Sequence, residues 1–184
     1  MKETYTITAF SENHIGLLNR ITILFTRRQV NIESLTVSQS SIHGIHKFTI
    51  VVNEELPKVE KVVKQIDKLV EVLKAFYHPE SEVVHQEIAL YKVPTEELLK
   101  SNTLEQTIRK HNARILEVMP EYTVIEKTGY KEETQELFEK LQHYGVKQFT
   151  RSGRVAVTKL NEELLTNYLR EVEDAEKERV EQNV

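Results

Sequence analysis

Two stretches of the chain share one succession of strand-like and helix-like hydrophobic patterns. In the first, residues 4–10 alternate apolar and polar positions, which is typical of a strand. Residues 17–25 then repeat apolar positions at helical spacing. The remaining patterns predict a second strand, a third strand, a helix that begins near Pro57 and a fourth strand, at 32–37, 48–52, 59–70 and 72–77. The predicted order is therefore βαββαβ.

The second half repeats this order with one additional strand. Strand patterns occur at 87–93, 113–118, 122–128, 146–149 and 155–157, and helical patterns occur at 94–108 and around 137–141. Gly145 follows the last helical pattern and predicts its end. We therefore predict an α+β fold of two ferredoxin-like βαββαβ sandwiches, each with its helices on one face of a sheet.

The composition along the chain predicts four segments. Residues 78–82 are polar and interrupted by Pro79, so we interpret 79–84 as a linker between domains at 1–78 and 85–160. Residues 161–184 contain eight acidic and three basic residues, a net charge of -5 within a chain of -4. We predict that this acidic tail docks as a helix and ends in a solvated stretch.

The composition excludes several kinds of chemistry. The 184 residues include no Cys, which excludes disulfides, thiolate metal sites and Cys nucleophiles and agrees with the cytoplasm. The five glycines form neither a G-x-G-x-x-G motif nor a P-loop. No apolar run approaches the roughly 20 residues that span a bilayer, and the start predicts no signal peptide. We predict no catalytic residues, no metal site and no membrane attachment.

The segment between the first strand and the first helix is the main candidate for ligand binding. Its sequence runs Glu12-Asn-His-Ile-Gly-Leu-Leu-Asn-Arg20. The first turn of a helix carries unpaired N–H groups and a partial positive charge, which suit a carboxylate. Gly16 has no side chain to block the approach, and the amide of Asn13 could meet both ends of a zwitterion. The alternative is structural: Asn13 as a helix cap and Gly16 for tight packing.

A second segment, Asn31-Ile-Glu-Ser-Leu-Thr-Val37, follows the same helix. Asn31 stands where a helix passes into a strand, a place where Asn often adopts a left-handed turn conformation. The residues by themselves leave that structural role open beside a role in binding.

Taken together, these two segments closely resemble the ACT domain of the acetolactate synthase (acetohydroxyacid synthase) regulatory small subunit. The second half resembles the carboxy-terminal domain of the same family. It does so through Glu87-Ile-Ala-Leu-Tyr-Lys-Val93, Thr128-Gly129, Tyr144-Gly-Val146 and Arg151-Ser-Gly-Arg-Val-Ala-Val157. The resemblance covers roughly residues 3–158.

The resemblance implies a non-catalytic subunit with an allosteric role in the biosynthesis of valine, leucine and isoleucine. Such a subunit binds and activates the catalytic large subunit, which carries thiamine diphosphate, Mg and FAD, and this chain carries no cofactor. It mediates feedback inhibition by a branched-chain amino acid, with valine as the first candidate. The effector lies between two ACT domains of a homodimer. Asn13 and Gly16 would hold it from one protomer, Asn31 would reach it from the other, and Ile15, Leu17 and Leu18 would shape its pocket or the dimer seam.

Two other functional classes agree less well with the sequence. An RNA-binding module also has the order βαββαβ, but the strand His46–Val52 offers one aromatic residue and the chain is acidic, which disfavours nucleic acid. A free-standing enzyme is disfavoured because no nucleophile–base pair can be assembled from the sequence. Arg151 and Arg154 form a basic loop that could contact the catalytic subunit or an anion.

Overall fold

The chain divides into two units that are not contiguous in sequence. The computed structural model describes residues 1–100, 102–161 and 163–182, with side chains up to residue 174. Met1–Val84 and Ala156–Val184 form unit 1, and His85–Val155 forms unit 2. The units therefore divide after residues 84 and 155, whereas the sequence patterns put the domain ends at 78 and 160.

Unit 1 contains the βαββαβ arrangement that the sequence predicts. Its elements are β1 (Glu3–Glu12), α1 (Leu17–Arg27), β2 (Ser34–Gln39), β3 (Ile45–Glu54), α2 (Leu56–Ile66) and β4 (Val72–Pro79). The strands form one antiparallel sheet in the order β2-β3-β1-β4, with Ile7 opposite both Ile50 and Tyr77. The ferredoxin-like fold of this half is confirmed.

The core of unit 1 lies between one face of this sheet and the two helices. The side chains of Ile7 and Ile50 on the sheet, and of Ile21 and Ile66 on the helices, are all fully buried. Each strand contributes every second residue to this face, and each helix contributes a stripe at intervals of three and four residues. The hydrophobic pattern of the sequence thus specifies which face of each element is buried.

Unit 2 repeats the arrangement with more irregularity. The elements of this second sheet and its helices are β5 (Val83–Val93), α3 (Thr95–Lys100), α4 (Asn102–Lys110), β6 (Arg114–Val118), β7 (Thr123–Gly129), α5 (Lys131–Gln142), β8 (Gln148–Arg151) and β9 (Val155–Thr158). The first two residues of β5 and the last three of β9 belong to unit 1. The sheet follows the order β6-β7-β5-β8, and β9 also pairs with β5. The single helix predicted over 94–108 is two helices, on either side of Ser101, which lies outside the described residues. The strand predicted at 146–149 begins two residues later, at Gln148.

The predicted linker is folded. Glu80–Glu82 form one turn of 3-10 helix, and Val83, which begins β5, is buried. Lys159 stabilises this turn with two hydrogen bonds. Its backbone N–H donates to the carbonyl of Glu82 (2.8 Å), and its Nζ donates to the carbonyl of Ser81 (2.7 Å). The polar residues Glu80–Glu82 therefore form an exposed turn rather than a free connection.

The acidic tail forms a helix, α6 (Leu164–Gln182). Leu165 is fully buried in unit 1, whereas Glu171, Glu173 and Asp174 are exposed. The solvated end that we predict for the tail lies after residue 174, where the side chains are outside the described part of the structure. Within the described part of the chain, no helix is both long and apolar enough to cross a membrane.

The core packing can be tested with two identical substitutions on α1. Ile21 is fully buried, while Ile23, two residues along the same helix, is 38% exposed. Because a buried Ile→Ala change removes packed atoms and leaves a cavity, Ile21→Ala should lower the free energy of unfolding of unit 1 by about 2–5 kcal/mol. Ile23→Ala should cost about 1 kcal/mol or less. Urea unfolding followed by circular dichroism measures both, and equal losses would contradict this account of the core.

Candidate functional site

The loop before α1 is fixed by hydrogen bonds at its first residues. The backbone N–H of Glu12 donates to the carbonyl of Glu71 (3.0 Å), and the N–H of Asn13 donates to the carbonyl of Gly44 (3.3 Å). Gly44 lies in the turn between β2 and β3, and Glu71 directly precedes β4. Three segments therefore converge at the end of the sheet where α1 begins.

Gly16 is the residue that opens the start of α1. It has φ of 84°, a left-handed conformation that glycine adopts readily, and it directly precedes the helix. A Cβ added at this position would meet no atom within 4 Å, so the space in front of Gly16 is open. The amides of Leu18 and Asn19 belong to the first helical turn and have no acceptor within the helix. A carboxylate placed there would meet N–H donors and the positive end of the helix dipole.

The prediction that Asn13 caps the helix is wrong. The residue before the helix is Gly16, and no side chain supplies a cap hydrogen bond there. The intervening residues form a turn, in which the N–H of Leu17 donates to the carbonyl of His14 (3.3 Å). This turn delays the helix by three residues, which leaves the side chain of Asn13 exposed beside the opening.

The apolar residues around Gly16 divide into two groups. Ile15 is 98% exposed and Leu18 is 46% exposed. Leu17 is 1% exposed and belongs to the core of unit 1. Of the three predicted pocket residues, Ile15 and Leu18 are therefore the exposed ones, because α1 turns Leu17 towards the sheet.

Asn31 does not join Asn13 and Gly16 within one chain. It follows the other end of α1, and a helix of 11 residues is about 16 Å long. The left-handed residue at this junction is Gln29, with φ of 53°, and not Asn31. The exposed amide of Asn31 donates to Oε1 of Glu33 (3.0 Å). One protomer thus presents the two Asn side chains at opposite ends of the same helix.

The edge strand β2 lies beside this helix end. β2 is the first strand of the sheet order β2-β3-β1-β4, so one side of its backbone has no neighbour in the sheet of unit 1. Val37 on β2 is 39% exposed. Edge strands with free N–H and C=O groups are templates for pairing with another chain.

An ion pair between Arg20 and Glu71 stabilises the position of α1 close to the loop that contains Gly16. Nη2 of Arg20 donates to Oε1 of Glu71, whose side chain is 16% exposed. The Arg20 hydrogen bond is the largest cause that lowers the pKa of Glu71 from its ordinary value of 4.5. The pair joins the first turns of α1 to the segment that holds Glu12.

The basic residues that the sequence places on a loop of unit 2 are not a surface patch. Arg151 donates from Nη1 to Oγ1 of Thr134 and to the carbonyl of Lys131, both at 3.1 Å. Its Nε lies 3.5 Å from Oε2 of Glu87, and Arg154 is 7% exposed. Arg151 is thus paired within unit 2 and Arg154 is buried, so these two residues do not form an exposed basic patch. Among the described residues, no cluster of His, Asp and Glu side chains is suited to a metal ion.

Sequence reasoning missed one group of polar residues on unit 1. Thr6 and Thr8 of β1 and Lys47 of β3 lie on the face of the sheet opposite α1 and α2, and they line a cavity. Their alternation with apolar residues is typical of a solvent-facing side of a strand. The only signal in the sequence was the helical pattern of the tail that covers this face.

The Arg20–Glu71 pair predicts how stability depends on pH. The pKa of Glu71 is lower in the folded protein than in the unfolded chain. The ionised carboxylate therefore stabilises the fold at pH values above the unfolded pKa, and this stabilisation is lost as the pH falls through the folded pKa. Glu71→Gln should therefore lose less stability than the unchanged protein between about pH 5 and pH 3. Arg20→Met should have the same effect, and combining the two changes should add nothing further. Thermal unfolding across this range measures the effect, and parallel curves for all four proteins would contradict it.

Comparison with known protein families agrees with both halves of the chain. Residues 7–74 match the family model described as the AHAS small subunit-like ACT domain. Residues 86–160 match the family model described as the small subunit of acetolactate synthase. The two matches leave α6 outside their ranges.

Individual relatives match over most of their length. The acetolactate synthase small subunit of Bacillus subtilis is 35% identical over 157 residues, which are 85% of this chain and 90% of that protein. The acetolactate synthase small subunit of Mycolicibacterium smegmatis is 33% identical over 156 residues, which are 85% of this chain and 91% of that protein. The crystal structure of the acetolactate synthase small subunit from Thermotoga maritima has a TM-score of 0.77 at 29% identity, covering 87% of this chain and 99% of that one. The chain therefore belongs to the family of acetolactate synthase small subunits, with an ACT domain in its amino-terminal half.

Proposed function

We propose that this chain is the regulatory subunit that binds the catalytic large subunit of acetolactate synthase, raises its activity and mediates its feedback inhibition. The holoenzyme acts in the cytoplasm in branched-chain amino acid biosynthesis, with thiamine diphosphate, Mg and FAD on the catalytic subunit. The effector is a branched-chain amino acid, with valine as the first candidate over leucine and isoleucine. The observation that carries this proposal is the open, left-handed Gly16 before the first turn of α1.

The chemistry of this opening suits an aliphatic amino acid. The free amides of the first turn of α1 would bind its carboxylate, as helix N-termini bind anions. Asn13 offers an amide oxygen to its ammonium group. Ile15 and Leu18 are exposed on either side of Gly16 and provide apolar surface for a branched side chain.

A second copy of the chain completes the site in this proposal. Asn31 lies beyond the far end of α1, too far to reach an effector at Gly16 of its own protomer. The edge strand β2 could pair with the same strand of a second copy in an antiparallel, two-fold arrangement. That arrangement would bring Asn31 of one protomer towards Gly16 of the other and would cover Ile15 and Leu18.

Feedback then follows from a shift in population. An effector bound between two ACT domains would stabilise the packing of the domains to which it binds more tightly. It can change the activity of the catalytic subunit only by this difference in affinity between two states. Activation without effector and inhibition with effector are thus separate properties, and variants should separate them.

The effector site is tested by a matched pair of substitutions at Gly16. Gly16→Asp and Gly16→Asn have nearly the same shape, and Asn and Asp both tolerate the left-handed conformation. Gly16→Asp adds a negative charge where the effector carboxylate would bind, so it should weaken valine inhibition of the reconstituted enzyme at least about tenfold. Gly16→Asn should weaken it less, and Asn13→Ala should also reduce it.

Both Gly16 variants should still activate the catalytic subunit, because the opening lies away from the core of unit 1. The assay is acetolactate production from pyruvate by the catalytic subunit, with each variant added at saturation and valine titrated. Normal valine sensitivity in Gly16→Asp would place the effector elsewhere and refute the proposed site. Activity of this chain on pyruvate without the catalytic subunit would refute its regulatory role.

The dimer is tested at the edge of the sheet. Val37 lies on the exposed edge strand β2, whereas Val70, which is 95% exposed, lies outside any strand or helix. Val37→Glu should raise the dissociation constant of the dimer because it places a charge in the proposed seam, and Val70→Glu should leave it unchanged. Sedimentation velocity over a range of concentrations measures both. A Val37→Glu protein as dimeric as the unchanged one would contradict pairing through β2.

A further inference from the structure

The sheet of unit 1 has a second buried face, opposite α1 and α2. Side chains alternate along β1, so Thr6, Thr8 and Phe10 point away from the core that contains Ile7. These three are only 1%, 6% and 3% exposed. Lys47 of β3 lies opposite Phe10 and shares the same face. A sheet face that carries hydroxyl groups and a lysine is therefore removed from solvent.

The carboxy-terminal segment covers this face. Nζ of Lys47 donates to the carbonyl of Ala156 (2.8 Å), and Leu165 of α6 is fully buried. Nζ of Lys74 lies 5.6 Å from the centre of the Tyr168 ring, a cation–π distance. Since α6 lies beyond the residues that the family models match, this cover includes a part of the chain outside the matched domains.

A cavity of about 250 Å³ remains between the sheet and this cover. Drug-sized ligands occupy pockets of about 300–1,000 Å³, so the cavity suits a smaller molecule. Its charged lining residues are Lys47 and Glu163, and hydroxyl groups come from Thr6, Thr8 and Thr158. The apolar part of its wall is formed by Phe10, Val83, Ala156, Val157, Leu160 and Leu164.

The two charges have capacity for further partners. An ammonium group has three donors, and one of those of Lys47 is directed at Ala156. Burial lowers the pKa of Lys47, while the Glu163 carboxylate acts in the opposite direction. Oε2 of Glu163 accepts from the N–H and the hydroxyl of Thr166, at the start of α6. A carboxylate has acceptor sites on both oxygens, so this helix cap does not exhaust it.

We propose that this cavity is a second ligand site, which binds a small aliphatic α-amino acid as a zwitterion. Lys47 pairs with the carboxylate, Glu163 pairs with the ammonium group, and the apolar wall surrounds the side chain. The site lies on the face of the sheet opposite α1 and is independent of the opening at Gly16. Because Glu163 and Leu164 line it at the start of α6, occupation stabilises the docked helix.

The test uses three probes and the full chain carrying Gly16→Asp, which disables the opening at α1. L-valine carries both charges, isovalerate lacks the ammonium group, and isobutylamine lacks the carboxylate. Isothermal titration calorimetry should show that L-valine binds at least about tenfold more tightly than either analogue, a difference of about 1.4 kcal/mol. Equal affinity for all three probes would contradict recognition of a zwitterion.

Two substitutions then assign the charges. Glu163→Gln keeps an acceptor for Thr166 and removes the charge, so it should weaken L-valine binding about tenfold and leave isovalerate unchanged. Lys47→Met should weaken both L-valine and isovalerate, and Lys47→Arg should restore much of the affinity. Lys74→Met removes a cation that contacts α6 outside the cavity and should leave all affinities unchanged.

The outcomes distinguish this site from the proposed effector site. Absence of L-valine binding to the Gly16→Asp protein, or unchanged affinities in both Lys47→Met and Glu163→Gln, would overturn the second site. Neither result would affect the effector site, which is judged by valine inhibition of the holoenzyme in the variants of Gly16. Thermal unfolding of each variant, followed by circular dichroism, shows whether a loss of binding reflects loss of α6.

Discussion

The packing of α1 and α2 onto one face of the unit 1 sheet is the constraint on which the candidate effector site depends. Ile7, Ile21, Ile50 and Ile66 meet there with no exposed surface. Burial of this kind contributes about 25 cal/mol per Å² of apolar surface and holds β1 and α1 at fixed positions. The loop between them is short, so the direction of the first turn of α1 follows from the core. A binding site at a helix start needs that fixed direction, because its donors are backbone groups.

The two faces of the same sheet use the same strands for different purposes. One face of β1 supplies the core through Ile7, and the other supplies Thr6 and Thr8 to the cavity beneath the carboxy-terminal segment. A two-residue period makes this division possible, since neighbouring side chains of a strand point in opposite directions. The opening at Gly16 belongs to the helix side. The two proposed sites therefore lie in separate environments, one at the start of α1 and one on the opposite face of the sheet.

Charged residues in the second half show that composition does not predict whether a charge is buried. Arg151 looks like a partner-binding residue in the sequence, yet it joins β8 to α5 through Thr134 and Lys131 and lies beside Glu87. Buried charges are tolerated when they are paired and hydrogen-bonded, and removal of one partner is costly. A surface role for such a residue could not be excluded from spacing, because spacing does not report burial.

The sequence by itself determined the order of most strands and helices, the buried faces of the elements of unit 1, and the family, because these follow from local periodicity and from short motifs such as residues 31–37. It also placed Gly16 at the start of α1. Only the tertiary structure decided that Asn13 is not the helix cap, that Leu17 is core and that Asn31 lies at the far end of α1. It alone showed that residues 79–84 are folded and that the carboxy-terminal segment, from β9 to the start of α6, covers Thr6, Thr8 and Lys47. These features depend on contacts between residues far apart in the chain, such as Lys47 with Ala156, and no local pattern records such contacts.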